Sequence, residues 1–266
     1  MPRHEPLRLL ALLAHPDDES LGFGGTLAKY ATEGVETALV TATRGQRGRY
    51  RGHRDGAGHP GADALGVIRE GELRQAAETL GIRDVAVLDY RDAELDRASP
   101  SVVVPELAEH ISRVRPDVVI TFGPDGVYGH ADHVAVSQFT TAAIVEAAAA
   151  RGHVVSKLYH MAWSQETFAA YHHAFSALGA TVDGVERRPI AWPDWMLTTT
   201  IDARAHWQTV WAAIRCHESQ LTSYAHLATL TPEQHQVLWG RQCFARVFSR
   251  VNAGRTRELD LFDGLR

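Results

Sequence analysis

The stretch Ala14-His15-Pro16-Asp17-Asp18-Glu19 sets an imidazole and three consecutive carboxylates directly behind an apolar run. Crowded carboxylates repel one another unless a cation or a proton shares the site. A histidine and a carboxylate at this spacing can bind a hard or borderline divalent metal. A neighbouring carboxylate left off the metal can then serve as a general base. Pro16 biases His15 towards an extended backbone, so the chain turns where the apolar run ends. A polar turn with an N-capping Asp would use the same residues, and one short motif does not separate the two readings.

A second cluster, Tyr128-Gly129-His130-Ala131-Asp132-His133, follows another apolar run. His130 and His133 lie either side of a turn that opens a helix, with Asp132 as its N-cap or first-turn residue. Two histidines and one carboxylate leave metal positions open for water and substrate, as catalytic zinc requires. The same donor set forms the facial triad of non-haem iron oxygenases. A non-catalytic metal- or sugar-binding module would also keep such loops. Asp17 favours an enzyme, because metal binding alone does not need the extra carboxylate.

The elements that must position these loops alternate in type. Strands are expected over residues 7–14, 35–41, 85–88 and 118–122, and helices over 25–33, 69–80, 102–114 and 132–151. That alternation predicts βαβ units, right-handed crossovers and an α/β fold with a mostly parallel sheet flanked by helices. It argues against the jelly-roll on which facial-triad oxygenases are usually built. Ligands in such sheets bind beyond the carboxyl ends of the strands. Adjacent first and fourth strands would bring the two clusters face to face. The loop after the second strand, running to Val67, exceeds ordinary loop lengths. It predicts a lid, a binding loop or a tolerated insertion.

The second half predicts strands at 156–163, 197–201 and 244–251 and helices at 165–178 and 203–221. Trp207, Val210, Trp211 and Ile214 share one face of the last helix and read as core. The organisation expected is one domain over 1–266, with a metal-binding α/β core (1–152) and a C-terminal extension (153–266) packed on it. The formal net charge is −5, which lends no support to nucleic-acid binding. Apolar runs are too short for a membrane span, and no signal-peptide pattern precedes the first strand, so a cytoplasmic location is expected. Cys216 and Cys243 lack CxxC spacing, which excludes a cysteine-based zinc site and fits a reducing compartment. A homo-oligomer is compatible with all of this.

Together, the Ala-His-Pro-Asp-Asp-Glu turn and the later His-x-Asp-His resemble the LmbE-like (PIG-L) family of zinc-dependent de-N-acetylases. That family includes the deacetylases of mycothiol and bacillithiol biosynthesis and the enzyme acting on N-acetylglucosaminyl-phosphatidylinositol. Weaker matches are Thr43-Arg44-Gly45-Gln46-Arg47-Gly48, Arg69-Glu70-Gly71-Glu72-Leu73 and His217-Glu218-Ser219-Gln220. Ala131 stands where the family commonly has proline, and Gln46 where it often has glutamate. The resemblance implies a Rossmann-like fold and one Zn2+ per chain, held by His15, Asp18 and His133. It implies Asp17 as general base, and His130, oriented by Asp132, as acid or electrophile. By the same resemblance Tyr128 falls where mycothiol-pathway members carry a tyrosine near the oxyanion, and Arg69 and Asp92 where that branch contacts sugar hydroxyls. Arg44, with Arg47 and Arg69, is expected to bind substrate hydroxyls or a phosphate, a solvated rim being the other reading of Arg47, and Glu19 to stand behind the metal donors or as a helix N-terminal charge. The function implied is removal of the N-acetyl group from a small N-acetylglucosamine-type conjugate. A family amidase that cleaves thiol-sugar conjugates is the alternative.

Overall fold

A computed structural model describes residues 5–175, 179–182, 184–254 and 256–266. In chain order its elements are β1 (Arg8–Leu13), α1 (Asp18–Leu21), α2 (Gly24–Thr32), β2 (Glu36–Thr43), α3 (Ala62–Leu80) and β3 (Asp84–Tyr90). These are followed by α4 (Pro100–Val114), β4 (Val118–Thr121), α5 (Gly126–Gly129), α6 (Ala131–Arg151), β5 (Lys157–Met161) and α7 (Gln165–Ala174). The chain closes with β6 (Ala180–Val182), β7 (Val185–Arg187), β8 (Thr199–Asp202), α8 (Trp207–Cys216), α9 (Pro232–Gly240) and β9 (Arg241–Ser249).

The main sheet has the strand order β3-β2-β1-β4-β5-β9-β8, and β6 and β7 form a separate hairpin. Strands β3 to β5 run parallel, while β9 is antiparallel to both of its neighbours. This is the expected α/β architecture, a mostly parallel sheet flanked by helices. An unbroken apolar run such as Leu9–Leu13 suits β1 because a central parallel strand is covered on both faces. The chain leaves β1 towards β2 and β3, then returns to β4 on the other side of β1. That switch opens a crevice beyond the carboxyl ends of β1 and β4.

Several boundaries differ from expectation for identifiable reasons. Helix α3 begins at Ala62, just after Gly61 at φ 93°, and its buried stripe starts at Leu65. The long loop is therefore shorter than expected, spanning residues 44–61. It is tied down: the Arg51 amide donates to the Ser219 carbonyl at 2.7 Å, and Gln220 Nε2 donates to the Arg49 carbonyl at 2.6 Å. The helix expected at 203–221 is cut to α8 because His217 leaves helical geometry (φ −81°, ψ 59°). Val210 and Ile214 are fully buried, as read from the sequence, with Trp207 and Trp211 packed against them. Helix α7 ends at Ala174, and residues 176–178 of the expected helix lie outside the described residues. Helix α9 was not expected, although its signal was present. Pro232 stands in its first turn, and Thr231 and Gln234 form a reciprocal capping box.

The extension joins the main sheet through β5, β9 and β8, and one buried carboxylate gathers it. Glu258 accepts from Lys157 Nζ (2.8 Å), Tyr159 Oη (2.8 Å), Thr199 Oγ1 (2.8 Å), Arg246 Nη1 (2.7 Å) and Asn252 Nδ2 (2.7 Å). Burial alone would raise the pKa of Glu258. The donors, led by Lys157, overcome that and hold it at about 2. No described helix is long and apolar enough to cross a membrane.

Candidate active site

The first cluster folds back on itself at the end of β1. Asp17 caps the four-residue α1 at φ 108° and ψ −22°, in the left-handed region that non-glycine residues avoid. This turn sends its carboxylate and that of Asp18 in different directions. Asp18 Oδ2 accepts the backbone N–H groups of His15 (2.7 Å) and Ala14 (3.2 Å). The carboxylate is thereby clamped beside His15.

The second cluster meets the first across the β1/β4 crevice. His15 Nδ1 lies 3.2 Å from His133 Nε2. Asp18 completes the triangle, with Oδ2 at 3.6 Å from His15 Nδ1 and Oδ1 at 3.4 Å from His133 Nε2. The outer ring nitrogens both face acceptors. His15 Nε2 lies 3.1 Å from Asp132 Oδ2 and 3.3 Å from Asp92 Oδ1, and His133 Nδ1 lies 3.2 Å from the Gly126 carbonyl. Those nitrogens carry the protons when the rings are neutral, so the inner nitrogens point lone pairs at each other beside a carboxylate. Such an arrangement requires a shared cation or proton. Tetrahedral zinc with bonds of about 2.0–2.1 Å has donor–donor edges of roughly 3.3 Å; the His15–His133 separation fits that, and a different Asp18 oxygen faces each ring. Phe122 stacks on the His133 ring at 3.9 Å and 4°, fixing its plane. Burial opposes charge on His15, but Asp92, Asp132 and Asp18 outweigh it and raise its pKa well above 6.5.

Asp17 sits beside this triangle and is held elsewhere. Its Oδ2 accepts Tyr224 Oη at 2.6 Å and Arg69 Nη2 at 3.2 Å. Among the described residues its Oδ1 accepts no hydrogen bond. Burial raises the Asp17 pKa above its usual 3.8, Arg69 works against that, and the Asp18 charge adds to it. Arg69 also donates to the carbonyls of Gly45 (2.8 Å) and Pro16.

His130 caps α6. Its Nδ1 accepts the Asp132 amide at 3.2 Å, which leaves the proton on Nε2. Burial, then the neighbouring His15 and His133, lower its pKa to about 3, so the ring is neutral near pH 7. Its centroid lies 4.6 Å from that of His15 and 4.8 Å from that of His133. Tyr128 follows Val127, whose φ of 69° is costly for a β-branched residue, and its ring lies 5.4 Å from His133. Burial raises the Tyr128 pKa, so its hydroxyl keeps its proton.

Several residues expected at the site meet surroundings that their sequence neighbours did not reveal. The Asp132 carboxylate does not face His130. It accepts from His15 Nε2 and from the amides of Ala93 (2.7 Å) and Leu95 (3.1 Å), while the backbone amide of Asp132 is what meets His130. Arg44 lies outside the cavity lining, paired with Glu70 (2.7 Å) and Asp89 (3.1 Å). Arg69 and Asp92 do line the cavity, but much of their bonding is internal. Asp92 accepts the Arg47 amide at 2.9 Å as well as facing His15. Glu19, expected behind the metal donors or as a helix N-terminal charge, lies in the first turn of α1 and is fully buried against His217.

A cavity of about 350 Å³ opens above the cluster. Phe122, Met161, Trp163, Tyr171, Phe175 and Tyr224 line part of it. Sequence reasoning missed Tyr224 and the ring wall of Trp163, Tyr171 and Phe175. No spacing rule connects position 17 to position 224. Gln220, also at the cavity, carried a signal through the His-Glu-Ser-Gln match.

Residues 10–144 match the family described as GlcNAc-PI de-N-acetylase (PIG-L). The chain belongs to that family. The 1D-myo-inositol 2-acetamido-2-deoxy-alpha-D-glucopyranoside deacetylase of Kineococcus radiotolerans is 33% identical, covering 98% of this chain and 84% of its own. The N,N'-diacetylchitobiose deacetylase of Pyrococcus horikoshii shares the fold at a TM-score of 0.63 and 20% identity, over 91% of this chain and 84% of that one. The 4-carboxy-2-hydroxymuconate hydratase of Pseudomonas putida shares it at a TM-score of 0.67 and 19% identity, over 93% and 99%. The fold thus hosts more than one reaction, while the sequence relatives are deacetylases. This PIG-L family member is an amide hydrolase, as its two loops suggested.

Proposed function

We propose that this chain is a zinc-dependent deacetylase of a small N-acetylglucosamine conjugate. The inositol glucosaminide named for its relatives is the first candidate substrate. The observation that carries the reading is the division of labour at the crevice. His15, Asp18 and His133 turn three donors inward, while Tyr224 and Arg69 hold Asp17 beside them with one oxygen open. Zinc bound by those three donors would supply Lewis acidity, making water more acidic and the amide carbonyl more electrophilic.

The chain's own groups account for the rest. Asp17 Oδ1 takes the proton of the attacking water, and its raised pKa keeps it a useful base. The neutral His130 presents Nε2–H, and Tyr128 its hydroxyl, towards the developing oxyanion. The departing amine then takes a proton back from Asp17. Asp132 and the Gly126 carbonyl hold the two metal-facing rings in the correct tautomer. Asp92 and Arg69 lie where the sugar would meet the cavity wall.

Amine release measured across N-acetylglucosaminides linked to inositol, malate and lipid, with chitobiose and a thiol–sugar conjugate, tests this. Release from the inositol conjugate by the metal-loaded protein is expected. Release only from thiol–sugar conjugates would replace the deacetylase reading with the amidase one, and release from none would overturn both.

A further inference from the structure

Asp17 is gripped at two points, one reached directly from the extension and one through Glu19 of α1. At the side chain, Tyr224 Oη donates to Asp17 Oδ2 at 2.6 Å. At the backbone, the Asp17 N–H donates to Glu19 Oε2 at 2.9 Å. The other Glu19 oxygen accepts His217 Nε2 at 2.7 Å and Ser20 Oγ at 2.5 Å. Glu19 and His217 side chains are both fully buried. Among the described residues the Nδ1 of His217 has no hydrogen-bond partner, so its polar contact is spent on Glu19. A buried polar pair of this kind adds little stability by itself, because each side chain gives up water to make the bond. Here its third bond reaches the amide of a residue at φ 108°. The segment itself is braced, because Glu72 accepts Ser219 N–H (2.6 Å) and Oγ–H (2.7 Å).

We propose that Tyr224 and the Glu19–His217 pair are positioning residues for Asp17. They hold its left-handed turn and occupy Oδ2, so that Oδ1 alone is left to accept the proton. This rests on Asp17 being the base.

The test is a double-mutant cycle in the zinc-loaded protein. Tyr224→Phe removes one oxygen and spares the packing. Its kcat is expected to fall about tenfold with KM within about twofold, and with metal content unchanged. His217→Ala should lower kcat in the same way, and His217→Gln, which keeps a donor to Glu19, should restore most of the loss. In an Asp17→Ala background, followed by amine release over hours, Tyr224→Phe should change the residual rate by less than about twofold. Unchanged kcat in Tyr224→Phe would overturn the proposal, as would an equal loss in both backgrounds. Near-normal turnover in Asp17→Ala itself would instead remove the base assignment on which the proposal stands.

Discussion

The loops behind β1 and β4 and the segment around residues 217–224 meet at one cavity, yet they bring different things to it. The loops bring reactive atoms: three imidazoles, the Asp18 carboxylate and the Asp17 carboxylate. The C-terminal segment brings no group to the inward-facing donors. It supplies a hydroxyl to Asp17 and a buried histidine to Glu19, and each acts through another residue. Further out, Glu258 draws β5, β8 and β9 together without touching the cavity at all. Chemistry is thus concentrated in two short loops, and geometry is supplied from far along the chain.

The sharpest way to break this division is to separate base from metal donors within the loops. Asp17→Ala is expected to lose about 10²–10⁴-fold in kcat while keeping its metal, the range typical of a lost general base. His133→Ala should instead lose metal. Full zinc occupancy in His133→Ala, read by elemental analysis, would merge the two roles and end the distinction.

The next contrast lies in the extension, where a large stability effect should leave the chemistry alone. Glu258→Gln leaves Lys157 and Arg246 facing a neutral group and should cost about 3–5 kcal/mol at pH 7. The sign with pH follows from a folded pKa of about 2 against an ordinary 4.5. The stabilisation is complete above pH 4.5 and drains away as pH falls towards 2. Chemical denaturation at several pH values should show a steeper acid loss in the parent than in Glu258→Gln. Identical slopes would mean that Glu258 does not carry this linkage.

The smallest effect sharpens the boundary between loop and support. Asp132→Asn keeps the shape but loses the charge behind His15, and metal affinity should drop about 10–100-fold. Competition with a chelator measures it. If Asp132→Asn instead spares metal affinity and alters only kcat, Asp132 acts on His130 after all.

Much of the fold was legible because the apolar runs are short, continuous and separated by polar punctuation. β1, β2 and β4 follow from that, and so does their parallel pairing. Boundaries failed where long-range contacts overrode local pattern. α8 stops at Cys216 because the next residue, His217, is turned to a carboxylate near the other end of the chain. Asp132 was given to His130 because they are neighbours in sequence. The fold gave its carboxylate to His15 and two loop amides instead. Arg44 looked like a substrate ligand because an unpaired arginine in a glycine-rich loop invites that reading, and its partners Glu70 and Asp89 are visible only in three dimensions.

By itself the sequence determined which residues could do chemistry and which class of reaction they suit. A residue type and its immediate neighbours define its donors, charge and local turn. Only the tertiary structure decided which oxygen of Asp17 is open, which histidine the Asp132 carboxylate faces, and that a tyrosine far along the chain holds Asp17. Those outcomes depend on distances between segments remote in sequence, and packing of the whole sheet sets them.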